Sequence, residues 1–358
     1  GIDTPTGGIG ADDLVGGEGG DRASYSASIA GVTVDLTAGT GTGGDAEGDT
    51  LTGIEHLSGS RHADHLTGDG GANALVGGDG DDTLFGASGN DTLTGGAGAD
   101  DLDGGDGGDR ASYSASTAGV TVDLAAGTGT GGEAEGDTLT GIEHLTGSDH
   151  ADQLTGDGGA NALAGGAGDD RLVGGGGNDT LTGGAGADDL DGGGGSDRAT
   201  YAGSAAGVTV DLSAGTGTGG DAEGDTLIGI EHLTGSDHAD HLNGDGGVNA
   251  LVGGAGNDTL AGGAGNDTLT GGAGSDTFDF DLGFGRDRIA DFEDDDVIRI
   301  SLDLWAAAGG GTVAEFLADH AFEFGARTEL RFSANDVLRI DDMSVAHLGT
   351  LTDQFLFV

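Results

Sequence analysis

GGAGNDTLAGGAGNDTLTGGAGSDTF, residues 253–278, states one nine-residue phrase three times: Gly-Gly-x-Gly-x-Asp-x-Leu-x, with Phe278 in the last apolar place. Glycine suits positions where φ is positive or where backbones approach closely. The first six residues of each phrase therefore predict a tight turn. The last three predict a short strand with its central leucine inward and its neighbours outward. Two phrases make one coil of 18 residues, and coils stacked at the ordinary interstrand spacing of ~4.8 Å place each turn over the turn two phrases on.

Nineteen such nonapeptides occur in phase, beginning at 7 and 16, then from 59, 147 and 235 onward. A longer period of 88 residues relates Arg22, Arg110 and Arg198, and likewise Tyr25, Tyr113 and Tyr201. The sixth place is Asp12, Asp21, Asp64, Asp82, Asp91, Asp100 and Asp109, then Asp152, Asp170, Asp179, Asp188 and Asp197, then Asp240, Asp258, Asp267 and Asp276. Asn73, Asn161 and Asn249 are its only departures, and they still offer an oxygen. The eighth place is Leu in fifteen copies, Phe278 in one, and Ala23, Ala111 and Ala199 just before three inserts, 25–58, 113–146 and 201–234. The expected organisation is a lead-in over 1–6, a roll of three 88-residue modules over 7–279, and a separate segment over 280–358.

The chain of 358 residues has 64 acidic residues against 11 arginines, a formal charge of −53. Such a chain repels nucleic acid and anionic membranes. With so little apolar area it stays disordered unless something positive completes it. It has no cysteine, hence no disulfide and no thiolate metal site. No apolar run approaches the roughly 20 residues of a membrane span. Stacking puts the sixth-place carboxylates in columns, where charges ~5 Å apart repel by about 3 kcal/mol at an effective dielectric near 20. A hard divalent cation between coils reverses that sign. Calcium takes 6–8 oxygen ligands in flexible geometry, whereas magnesium demands an octahedron and keeps its waters. The uninterrupted runs contain eleven pairs of sixth-place residues two phrases apart, eight Asp/Asp and three Asn/Asp. They predict at least about eleven Ca2+ ions.

These phrases resemble the repeats-in-toxin family and its hemolysin-type calcium-binding repeat. The resemblance implies an all-β fold, a right-handed parallel β-roll, or β-helix solenoid, of GGxGxDxUx nonapeptides with a β-rich cap. It also implies a ligand set. Carbonyls of places two and four join the Asp of one turn, and carbonyls of places one and three join the Asp of the turn after next. Gly78, Gly80 and Asp82 would share an ion with Gly95, Ala97 and Asp100. Gly166, Gly168 and Asp170 would share one with Gly183, Ala185 and Asp188. Gly254, Gly256 and Asp258 would share one with Gly271, Ala273 and Asp276.

Each insert carries an alternating strand, such as Val120, Val122 and Leu124, and a degenerate nonapeptide whose sixth place is Asp49, Asp137 or Asp225. The insert reads as further solenoid with one longer excursion, and those three aspartates are further calcium candidates. His56, His62 and His65 recur as His232, His238 and His241, but Gln153 breaks the series in the middle module. They read as solvated or turn-capping residues rather than a zinc site. No zinc-protease helix, nucleophile elbow or phosphate loop is present, and the acid pairs are absorbed by the calcium lattice. The expectation is that these residues are not an enzyme.

Composition changes after Asp279: ten of eleven Phe and the single Trp305 lie in 278–358. Residues 312–320 predict a short helix with Thr312 as N-cap. A solenoid needs its last coil covered, so this segment reads as a cap. "GGAGSDTFDFDLGFGRDRIADF" and the final "DQFLFV" resemble the C-terminal region of serralysin-type proteases. That resemblance implies export by the type I secretion apparatus of a Gram-negative bacterium, to the cell surface or beyond. Three functions follow as expectations: a non-enzymatic extracellular structural element that can associate with itself; the secretion and folding module of an enzyme (protease, lipase or epimerase) encoded upstream; or an adhesin binding polysaccharide or lipopolysaccharide.

Overall fold

Leucine at most of the eighth places, flanked by residues that face outward, builds two sheets of stacked short strands. The computed structural model describes all residues, 1–358. The chain divides into two compact units, Gly1–Asp179 and Thr180–Val358.

In the first unit one sheet runs in parallel steps through Arg22–Ser24, His56–Ser58, Ala74–Asp79, Thr92–Ala97, Arg110–Ser112, His144–Thr146 and Ala162–Ala167. Its inward row is Ala23, Leu57, Leu75, Leu93, Ala111, Leu145 and Leu163, none more than 1% exposed. The facing sheet includes His65–Thr67, Thr83–Phe85 and Asp101–Asp103, with Leu66, Leu84 and Leu102 in register and wholly buried. Each such leucine contributes about 1.5–3 kcal/mol by leaving water. The wholly buried alanines are followed two residues on by Tyr25 and Tyr113, 2% and 1% exposed, whose rings are the largest side chains in that core.

Strands are not uniformly three residues long. Ala74–Asp79 and Thr92–Ala97 continue through their glycines into the region expected to be turn. The inserts also depart from simple solenoid. Thr33–Asp35 pairs parallel with His65–Thr67, but the chain then reverses, and Thr40–Thr42 runs antiparallel to both Thr33–Asp35 and Thr50–Thr52. Gly39, Gly43 and Gly44 make the reversals at φ 67°, 76° and 49°, a region open to glycine without steric cost.

The second unit repeats this plan through Arg198–Thr200, His232–Thr234, Ala250–Ala255 and Thr268–Ala273 on one sheet, and through Thr209–Asp211, His241–Asn243 and Thr259–Ala261 on the other. Parallel stacking does not stop at Asp279, where the composition changes. Arg286–Ile289 and Val337–Ile340 extend the first sheet, and Val297–Ile300 and Phe355–Phe357 extend the second. Antiparallel strands Arg327–Arg331 and Ala321–Phe324 finish the first sheet. Phe278, Phe280, Ile289, Ile298 and Ile300 take over the inward row. The helix Val313–His320 has the full capping box of Thr312 and Glu315, and Trp305 packs between Phe316 and Phe357 at ring-centroid distances of 5.1 and 4.4 Å. No helix is long and apolar enough to cross a membrane.

Candidate metal centre

The sixth-place carboxylates form columns along the sheet edges, and each column is strung on backbone amides. The Asp64 amide donates to Asp82 Oδ1 at 2.8 Å, Asp82 to Asp100 at 2.9 Å, and Asp100 to Asp137 at 2.9 Å. A second column links the Asn73 amide to Asp91 and Asp91 to Asp109, both at 2.7 Å. The same bond joins Asp12 to Asp49, Asp152 to Asp170, and Asn161 to Asp179. In the second unit it joins Asp188 to Asp225, Asp240 to Asp258, Asp258 to Asp276, and Asn249 to Asp267.

One oxygen of each accepting carboxylate is therefore satisfied. A second oxygen is not, in a defined subset: Oδ2 of Asp21, Asp82, Asp91, Asp100, Asp109, Asp258, Asp267 and Asp276 is buried with no hydrogen-bond donor, as is Oδ2 of Asp12 at the head of its column. Asp82, Asp91 and Asp258 are at most 2% exposed. Burial pushes the Asp82 and Asp258 carboxyls up to about 7 and those of Asp91, Asp100 and Asp267 up to about 6. The amide bonds oppose the shift, and neighbouring carboxylates add to it, Asp64 and Asp100 among them at Asp82. An unpaired buried charge costs several kcal/mol.

Around each orphan oxygen the first glycine makes room for a cation. A Cβ on Gly77 would lie 2.2 Å from Asp82 Oδ2 and 2.7 Å from the Gly95 carbonyl oxygen; at Gly253 the values are 2.3 Å to Asp258 Oδ2 and 2.5 Å to the Gly271 carbonyl. The seam between coils thus brings a carboxylate and the place-one carbonyl of the next coil to one point. Gly78 and Gly80 carbonyls also face the next coil, 2.0 and 1.8 Å from where a Cβ on Gly96 or Gly98 would stand, and Gly254 and Gly256 do the same toward Gly272 and Gly274. Ala97 and Ala273 carbonyls accept from the Gly80 and Gly256 amides at 2.8 Å, which leaves each a second lone pair. Gly166 and Gly168 have positive φ like Gly78 and Gly80. Gly183 stands over Asp188 Oδ2 as Gly95 stands over Asp100 Oδ2, and Ala185 ends the strand Thr180–Ala185.

No three His, Asp or Glu side chains converge as a metal-binding group. Any ion on this seam is held by one or two carboxylates completed by carbonyls, the hard oxygen set of calcium. The residues present fit that ion. The carboxylates supply charge, and the glycines supply close approach and carbonyls.

The sixth-place residues are not all alike, which their spacing does not reveal. Asp64, Asp152 and Asp240 open the three runs. There Oδ2 accepts from the Ser60, Ser148 and Ser236 amides at 2.5, 2.5 and 2.6 Å, and each serine hydroxyl donates to Oδ1. Asn73, Asn161 and Asn249 donate Nδ2 to the carbonyls of Glu55, Glu143 and Glu231. Asp49, Asp137 and Asp225 close their columns differently: the hydroxyls of Tyr25, Tyr113 and Tyr201 donate to Oδ2 at 3.1, 3.0 and 2.9 Å. With both oxygens bonded by protein, these three are weaker cation ligands than Asp82 or Asp100.

Several residues of the site lie outside the nonapeptide pattern. Glu55, Glu143 and Glu231 accept from the amides of Asp21, Asp109 and Asp197 at 2.8 Å, standing in for a column carboxylate. The recurrence of "GIEH" every 88 residues was their signal. Asp287 and Asp296 continue the columns past Asp279, accepting from Asp267 and Asp276 at 3.0 and 2.9 Å. Their spacing of 20 residues rather than 18 hides them. The histidines join no metal group: Nδ1 of His56, His144 and His232 accepts from the Ala74, Ala162 and Ala250 amides, while His62, His65, His238 and His241 are exposed.

Comparison with known proteins agrees with this geometry. The RTX calcium-binding nonapeptide repeat (4 copies) matches residues 49–84, 76–111, 137–172, 164–199, 225–260 and 252–286, together just over half of the chain. Among solved structures, the extracellular lipase LipA from Serratia marcescens is similar over 60% of this chain and 40% of the lipase, at 22% identity and a TM-score of 0.25. That likeness is too loose to carry an argument. Comparison with curated proteins gives no match.

Proposed function

The chain belongs to the RTX calcium-binding nonapeptide repeat family, and from that premise we propose that it is a non-enzymatic scaffold of the cell exterior, ordered by calcium after export through a type I secretion apparatus. The observation that carries this reading is the set of buried, donorless carboxylate oxygens along the coil seams. Without a cation these columns repel, and the chain of charge −53 stays expanded and threadable. Outside the cell, calcium at millimolar level reaches the Kd range of ~10⁻⁴–10⁻³ M of extracellular modules, and binding free energy becomes folding free energy. The terminal strand Phe355–Phe357 and the helix Val313–His320 then serve as a cover for the last coil.

Circular dichroism during calcium titration, with magnesium as control, tests the proposal. The expected outcome is β-structure that appears with calcium and not with magnesium. Equal β content in excess chelator overturns it.

A further inference from the structure

The nonapeptide series ends at Phe278–Asp279, yet one more coil follows with most of its chemistry intact. Residues 282–290, LGFGRDRIA, keep glycine at places two and four, Asp287 at six and Ile289 at eight; only the first glycine is replaced, by Leu282. The fold honours the hidden register. Arg288 and Ile289 pair with Thr268 and Leu269, Gly285 bridges to Gly265, and Ile289 is wholly buried in the leucine row. Leu282 is accommodated because its side chain turns out to solvent, 58% exposed.

Asp287 repeats the arrangement of the repeat aspartates. The Asp267 amide donates to its Oδ1 at 3.0 Å, as Asp258 does to Asp276 at 2.9 Å. Asp267 and Asp287 are each 1% exposed, and in both Oδ2 is buried without a donor. The Gly265 carbonyl points into the same seam, 1.9 Å from where a Cβ on Gly285 would stand. The flanking arginines are engaged elsewhere: Arg288 pairs with Asp341 at 2.6 Å, and Arg286 donates to the Ala334 carbonyl. The comparable carboxylates around this coil are closed by protein. Asp296 Oδ2 accepts from the Glu293 amide at 2.7 Å, and Asp336 Oδ2 accepts from the Ser333 hydroxyl at 2.8 Å.

We infer that Asp267 and Asp287 hold a further calcium ion, outside the glycine-glycine repeats, which ties the last coil of the roll to the C-terminal segment. This rests on the calcium reading above. A hard dication is the class of ligand the site takes, because two donorless buried carboxylates, linked by the Asp267 amide, and a carbonyl lie along one seam while both flanking arginines are engaged elsewhere.

Native mass spectrometry of the full chain in saturating calcium counts the ions. Asp287→Ala, which removes both carboxylate oxygens, is expected to carry one ion fewer than the wild type, and Asp296→Ala the same number as the wild type. Asparagine would not serve, because Asn73, Asn161 and Asn249 already offer an oxygen at the sixth place. An unchanged count in Asp287→Ala overturns the inference. A wild-type chain that binds no calcium overturns the broader reading instead. If Asp287→Ala fails to fold, anomalous scattering from calcium-loaded wild-type crystals decides. A peak between Asp267 and Asp287 is expected; its absence, with peaks present between Asp258 and Asp276, refutes the site.

Discussion

Replacing Tyr113 by Phe tests whether the inserts close the carboxylate columns with a protein donor. The tyrosine is 1% exposed and its hydroxyl donates to Asp137 Oδ2 at 3.0 Å. Asp137 is 2% exposed and its other oxygen is held by the Asp100 amide. Phenylalanine keeps the ring and its packing behind Ala111, so the substitution removes one hydrogen bond and leaves one carboxylate oxygen buried without a partner. A hydrogen bond to a charged group contributes about 1.5–3 kcal/mol, and leaving the partner unsatisfied places the loss toward the upper end. With a slope of about 3 kcal/mol/M, the urea midpoint in saturating calcium should fall by just under ~1 M. Tyr25→Phe and Tyr201→Phe should lose similar amounts, since their hydroxyls make the same bond at 3.1 and 2.9 Å. Burial and the Asp137 charge also hold the Tyr113 phenol above its ordinary range, so its ionisation should appear only on unfolding. A stability unchanged to within a few tenths of a kcal/mol would show that the hydroxyl does not close the column.

Two further outcomes are expected. In chelator, the chain should order on acidification. The folded-state carboxyls of Asp82 and Asp258 are raised to about 7 and those of Asp91, Asp100 and Asp267 to about 6, above an unfolded value of about 3.9. The folded form therefore binds these protons more tightly; its advantage is complete below about pH 4 and vanishes as pH rises through 6 to 7. Circular dichroism against pH checks this, and a calcium-free chain equally disordered at pH 4 and pH 8 contradicts it. The second substitution is Gly77→Ala, whose Cβ would meet Asp82 Oδ2 at 2.2 Å and the Gly95 carbonyl at 2.7 Å, compared with Gly70→Ala, whose Cβ would meet nothing within 4 Å. The first should raise the calcium concentration needed for folding several-fold and the second should leave it unchanged. Identical titration midpoints would place the cation somewhere other than this seam.

Much of this protein is legible in its letters because a solenoid is nearly one-dimensional. Once Asp and Leu recur every nine residues, stacking alone dictates that Leu66, Leu84 and Leu102 share a buried row and that Asp82 lies beside Asp100. Thr312 at the head of its helix was equally local, a capping box written within four residues. What the tertiary structure decided is which carboxylates are left wanting a cation. Asp64 is satisfied by Ser60, Asp137 by Tyr113 across 24 residues, and the Asp109 amide by Glu143 across 34. Tyr113 and Glu143 come from an insert that obeys no nine-residue period, and Ser60 stands at the second place of its nonapeptide, where the repeat pattern has glycine. The coil at Asp287 was hidden for a different reason. Its identity lies in register and burial, which survive the loss of a glycine when the side chain that replaces it can turn to solvent.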